Sequence, residues 1–279
     1  MSIFEAIILG IIEGVTEFLP VSSTGHLTIA EKLMGMSLDD PSVTAFTAII
    51  QIGAIIAAIL YFRKDIWRVL TAWTNGIFRG KKFRQSFDYR YGWAIILGSL
   101  PIAVVGLAFK DEVETVLRSL WFVVFGFIGW SAVMWLADRY GKARHSEKDT
   151  TWRDTLIIGA AQCISLVPGV SRSGATISAG LLRGFDRVSV TKLSFFLGIP
   201  ALSAAGILQA ITQYQHIDDG VGWTATIVAT VASFIVGYIS IAWLLKFVAH
   251  NDFSIFIWYR LGLGVIIMSL LVSGTITAV

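Results

Sequence analysis

Residues 13 to 26 read EGVTEFLPVSSTGH, which puts two glutamates, serines and threonines, and a histidine around one proline. Glu13 and Glu17 are four apart and so share a helix face. Paired carboxylates in an apolar setting need something cationic between them, such as an arginine, a proton or a hard divalent ion. Carboxylate and phosphate oxygens suit Mg²⁺ or Ca²⁺, which makes Glu13 and Glu17 candidate metal ligands. Pro20 ends a helix, and Ser22, Ser23 and Thr24 are capping types for the next one. Ser23 is a candidate nucleophile, and His26 a candidate acid, base or nucleophile toward phosphorus.

A second stretch, GAAQCISLVPGVSRSGA from Gly159, aligns without a gap on GIIEGVTEFLPVSSTGH from Gly10, an offset of 149 residues. Gln162 takes the place of Glu13, Ser165 that of Thr16, Leu166 that of Glu17, and Arg172 that of Ser23. One copy carries acids and the other a cation. Each loop leads into a helix N-terminus, which favours anions. Ser22, Thr24 and Gly25 of the first copy and Ser171, Ser173 and Gly174 of the second are candidate phosphate ligands. Arg172 can grip two phosphate oxygens at once. A hydroxyl nucleophile, an acid/base, an arginine and carboxylates for a metal compose a phosphoryl-transfer site.

The surrounding chain must hold this chemistry in a membrane. Of its 279 residues 55% are hydrophobic and 15% charged, and the mean hydropathy is +0.72. Six apolar runs can span a bilayer, at about 43–62, 93–109, 120–137, 193–213, 223–247 and 254–276. The segments 3–36 and 154–186 are each broken by a proline and are expected to enter the bilayer and turn back. Tryptophans 67, 73, 93, 121, 152, 223 and 258 sit near run ends, as in interfacial belts.

Basic residues crowd the loops 63–90 and 138–153, which makes these cytoplasmic. The 38–42 and 214–222 loops are acidic or neutral and belong outside, and the 110–118 loop is mixed. The net charge of +3 is thus a loop property and implies no nucleic-acid partner. Single Cys163 excludes an internal disulfide and a cysteine zinc cluster. The opening MSIFEA has no basic leader region, so no cleaved signal peptide is expected.

The expected fold is an all-α integral membrane protein with six transmembrane helices and two re-entrant helix–loop–helix segments. Three spans per half force the second repeat, about 150–279, to lie upside down relative to the first, about 1–140. The broken helices of such inverted repeats meet near the midplane.

The motifs EGVTEFLPVSSTGH and PGVSRSGAT strongly resemble the two signatures of the bacterial undecaprenyl-diphosphatase family, also called the bacitracin-resistance family. The similarity runs over essentially the whole chain. It implies a metal-dependent enzyme of the bacterial plasma membrane that removes the terminal phosphate of undecaprenyl diphosphate and recycles the lipid carrier for cell-wall synthesis. The site would open to the periplasmic or extracellular side. By motif position the resemblance gives Glu13 and Glu17 the paired acids, Ser23 the nucleophile, His26 the histidine and Arg172 the phosphate grip.

A different class of lipid phosphatase shares STGH- and SRS-like fragments. Its arginine–proline motif is absent, because the five prolines follow Leu19, Asp40, Leu100, Val167 and Ile199. The competing function is a flippase for polyprenyl phosphate lipids, which needs an anion cradle and no nucleophile. A structural scaffold leaves the buried ionisable cluster without purpose. The expected partners are a polyprenyl diphosphate lipid and the bilayer; a homo-oligomer is compatible with the sequence.

Overall fold

The computed structural model describes residues 1–37, 40–109, 119–218 and 220–278. The 110–118 loop lies outside these, as do Leu38, Asp39 and Asp219 of the two acidic loops. The first half contains α1 (Ile3–Thr16), α2 (Ser23–Leu33), α3 (Pro41–Tyr61), α4 (Arg63–Phe78), α5 (Lys81–Arg84), α6 (Phe87–Ala108) and α7 (Leu120–Tyr140). The second contains α8 (Trp152–Gln162), α9 (Arg172–Leu182), α10 (Arg187–Gln213), α11 (Trp223–Val248) and α12 (Ser254–Val272). Among the described residues there is no strand.

Among the described residues, six helices are long and apolar enough to cross a membrane: α3, α6, α7, α10, α11 and α12. Two begin six residues before the apolar runs do, and capping explains both. Ser86 Oγ accepts from the Tyr89 amide at 3.2 Å and starts α6 at Phe87. Asp186 accepts from the Ser189 amide at 2.8 Å and starts α10 at Arg187. Satisfying otherwise orphaned amides lets each helix extend through polar residues beyond its apolar stretch. Much of the basic 63–90 loop is itself helical. In α4, Val69 and Gly76 are buried seven residues apart, with Trp67 and Leu70 exposed.

The broken segments pack across the halves. Helix α1 lies along α11, and α8 lies along α6. Glycines permit the close approach. A side chain on Gly159 would collide with the Gly98 backbone, and one on Gly10 with the Ala229 carbonyl. Further pairs join the halves in the same sense: α3 with α11, α10 with α6, α3 with α10, and α7 with α12. The two breaks are thereby placed side by side inside the bundle.

Candidate active site

Helix α1 ends at Thr16 with Glu17 as its C-cap, three residues before Pro20. Turns carry the chain to Ser22, whose φ of 75° lies on the left-handed side. The second break follows a 3₁₀ turn at Cys163–Leu166 and reaches Ser171 with φ 76°. These serines occupy matching positions of the two repeats and take the same unusual conformation. Non-glycine residues held there carry about 1–3 kcal/mol of strain and cluster at functional sites. Each hydroxyl caps the following helix: Ser22 Oγ accepts from the Gly25 amide at 3.4 Å, and Ser171 Oγ from the Gly174 amide at 3.1 Å.

The breaks meet through Glu17. Its Oε2 accepts from Ser23 Oγ at 2.6 Å, and its Oε1 accepts from Arg172 Nη2 at 3.0 Å. Arg172 also donates from Nη1 to the Ser194 carbonyl of α10 at 3.0 Å, and its buried Nε has no partner among the described residues. The guanidinium lies over Gly198, where any side chain would displace it. Ser173 Oγ sits 3.0 Å from the Leu19 carbonyl, to which it donates, and 3.1 Å from Ser171 Oγ. Ser22, Ser171, Ser173 and Gly174 are buried and fix the loops in place, while Thr24 is exposed.

In front of Ser23 lies a cavity of about 300 Å³, on the scale of small-ligand sites. Glu13, Ser23, Thr24, Glu31 and Gln51 line it from the first half, and Ser165 and Pro168 from the second. Glu17 and Arg172 are not among its lining residues, although Glu17 contacts Ser23 directly. Glu13 is 1% exposed, and its Oε1 has no hydrogen-bond partner among the described residues. A buried, unmatched carboxylate oxygen on a cavity wall fits a hard cation. No group of three or more His, Cys, Asp or Glu gathers as a ligand set among the described residues. Such a cation would therefore draw on few carboxylates and complete its shell from the substrate.

His26 lies one helical turn after Ser23 on α2 and makes no hydrogen bond with it among the described residues. Its Nδ1 lies 2.7 Å from the Ser22 carbonyl and its Nε2 2.7 Å from the Tyr259 hydroxyl. The imidazole stacks on Tyr259 with a ring-centroid distance of 5.6 Å.

Sequence reasoning missed Arg260 on α12, which is 0% exposed. It donates to the Pro20 carbonyl at 3.1 Å, the Gly169 carbonyl at 2.8 Å, the Gly126 carbonyl at 2.9 Å and Ser131 Oγ at 3.3 Å. Pro20 and Gly169 are also 149 residues apart, so one guanidinium ties the same point of both breaks. The available signal was an arginine inside an apolar span. Arg260→Met would strand three buried carbonyls, each costing about 1–3 kcal/mol. The expected result is a clear drop in melting temperature in detergent; a melting curve equal to wild type would remove Arg260 from this role.

Residues 6–266 match the family model described as bacitracin resistance protein BacA. The chain is 60% identical over 278 residues to undecaprenyl-diphosphatase 3 of Frankia casuarinae, covering all of both chains. It is 55% identical over 285 residues to the undecaprenyl-diphosphatase of Cutibacterium acnes, and 42% over 281 residues to that of a Mycobacterium species, again over the full length of each.

Proposed function

Because the chain belongs to the bacitracin resistance protein BacA family, we propose that it hydrolyses undecaprenyl diphosphate to undecaprenyl phosphate and inorganic phosphate. It is a multi-pass membrane phosphatase with a lipid substrate. The observation that carries the mechanism is the 2.6 Å contact between Ser23 Oγ and Glu17 Oε2 at the cavity wall. A hydroxyl donating to a buried carboxylate is a nucleophile next to its base.

Ser23 Oγ attacks the terminal phosphorus, and its proton passes to Glu17. The bond from that phosphorus to the bridging oxygen breaks, and undecaprenyl phosphate leaves. Water then hydrolyses the phosphoserine to inorganic phosphate, and Ser23 regains its proton. Arg172 holds Glu17 in register from behind. The first turn of α2, which faces the cavity at Ser23 and Thr24, favours the anion through the helix dipole. A divalent cation on Glu13, Mg²⁺ or Ca²⁺, would neutralise diphosphate charge when bound. His26 supports this centre by fixing the Ser22 carbonyl, and through it the strained cap beside Ser23.

The two halves form an inverted repeat, a reading supported by the swapped helix packing and by the shared conformation of Ser22 and Ser171. The site opens to the outer face of the plasma membrane. In support, the cavity is lined by Thr44 near the start of α3 and by Gln209 near the end of α10, away from the basic 63–90 and 138–153 segments. In a Cys163→Ser background, Asp40→Cys should react with an impermeant thiol reagent on intact cells and Lys82→Cys should not. The reverse pattern would overturn the orientation. A flippase could use the same layout, but it gives the Ser23–Glu17 contact no task. The deciding measurement is phosphate release from a long-chain prenyl diphosphate by purified protein in detergent, with and without chelator. No release from metal-replete protein would refute the reading.

A further inference from the structure

Helix α4 has two apolar faces, and only one of them is buried. Val69, Trp73 and Gly76 recur at helical spacing and pack on α6. The Trp73 ring lies edge-on to Trp93 at 5.5 Å and against Gly92, and the missing side chain of Gly76 makes room for the Tyr89 ring. Trp67, Leu70, Thr74 and Phe78 share a second face. Trp67 is 71% exposed and Phe78 83%, and the Thr74 hydroxyl donates to the Leu70 carbonyl at 2.9 Å, which satisfies it without water. Lys64, Arg68, Thr71 and Asn75 make a third, polar face.

Helices α3 and α6 span the membrane, and α4, with four charged residues in its first six positions, does not. The segment 63–86 therefore stays on one side of the bilayer. Its contacts with α6 set its attitude. Arg68 donates to Asp88 at 3.1 Å, and Gly76 meets Tyr89. Arg68 and Gly76 are roughly 12 Å apart along α4. Both still touch the same level of α6, so α4 lies across the spanning helix and not along it. Between them Trp73 reaches Trp93, roughly 9 Å beyond the start of α6. A helix lying flat at this depth, with one flank on α6, one apolar flank and one polar flank, is built for the membrane interface.

Charge decides which lipids this face meets. Residues 63–90 hold eight arginines and lysines and two aspartates. The aspartates, Asp65 and Asp88, are already engaged by Arg68 and Lys192. Lys64, Arg79, Lys81 and Lys82 are exposed and enter no ion pair among the described residues. Arg84 Nε donates to the Gly76 carbonyl at 2.8 Å, which folds the basic α5 back toward the end of α4, where Phe78 is exposed. Free cations beside an apolar stripe suit anionic head groups above acyl chains, whereas a zwitterionic head group brings no net charge to them. We propose that α4 and α5 form a docking surface for anionic phospholipid, with Trp67, Leu70 and Phe78 among the acyl chains and Arg79, Lys81 and Lys82 at the phosphate groups. The proposal is independent of the reaction that the cavity performs.

The experiment places an environment-sensitive fluorophore on Phe78→Cys in a Cys163→Ser background and reconstitutes the full chain in phosphatidylcholine bilayers. Brominated phosphatidylglycerol or brominated phosphatidylcholine is then included at an equal, small fraction as quencher. Both should quench, and the anionic lipid should associate about fivefold more strongly or better, because each basic residue near a charged surface contributes about that factor. R79Q/K81Q/K82Q should remove the preference and leave quenching by phosphatidylcholine in place. High salt should shrink the preference as well. If the triple variant does not reconstitute, the salt series on the parent protein decides. Absence of quenching by either lipid would put this face in water, as for an acidic protein partner, and overturn the proposal. Equal quenching by the two lipids, or a preference that survives either the charge removal or high salt, overturns it too.

Discussion

Ser23→Ala should abolish phosphate release while the protein still binds its prenyl diphosphate. The substitution removes one oxygen, the atom that would carry the phosphoryl group. Loss of a nucleophile that works as a unit with its base lowers turnover by about 10⁴-fold or more. Binding should persist, because Thr24, the N-terminus of α2 and the wall on which Glu13 and Glu31 stand are untouched. The fold should persist as well. Glu17 loses one hydrogen bond and keeps Arg172 at 3.0 Å. Turnover and lipid binding measured on the same preparation give the answer. Substantial turnover in Ser23→Ala together with its loss in His26→Ala would shift the chemistry to the histidine or to an activated water.

Glu17→Gln should be nearly as severe, for a different reason. The carboxylate accepts from two donors on opposite sides, Ser23 and Arg172. A glutamine offers one oxygen and one amide nitrogen, so one donor must face another donor. If the oxygen turns to Arg172, Ser23 loses its base; if it turns to Ser23, a largely buried guanidinium is left unmatched. Removing one partner of a buried ion pair costs about 3–5 kcal/mol of stability. Turnover should fall by roughly 10³-fold, within the range of lost acid–base catalysis. Glu13→Gln should be milder at saturating metal, since it touches neither Ser23 nor Arg172. Melting curves separate unfolding from lost chemistry. Folded Glu17→Gln with turnover near wild type would remove Glu17 from the reaction.

The spans were legible because a bilayer demands long apolar runs, and the two breaks because Pro20 and Pro168 interrupt such runs beside hydroxyl residues. The 149-residue offset also placed Ser23 and Arg172 at matching points, and the fold joins both to Glu17. Other features depended on tertiary context. Glu31 stands next to Lys32 near a helix end, which reads as a polar margin until Thr47 of α3 closes over it. His26 carries suitable chemistry, and the Tyr259 hydroxyl of α12 that meets its Nε2 could not be read from the sequence. Arg260 follows Trp258 and Tyr259, a pattern that suggests an interfacial cation. Packing of α7 and α12 carries it inward to the loop carbonyls. The charges of the 63–90 loop concealed the apolar spacing of α4.

Arg260 also bears on motion. A carrier that exposes its site to each face in turn must slide one half of the molecule against the other. Here one guanidinium is riveted to the Pro20 carbonyl of the first half and the Gly169 carbonyl of the second. Shearing the halves would tear out at least one of these bonds at a depth where water cannot replace it. The geometry gives a stationary anvil: one buried guanidinium pins the first break to the second at the same point of each repeat.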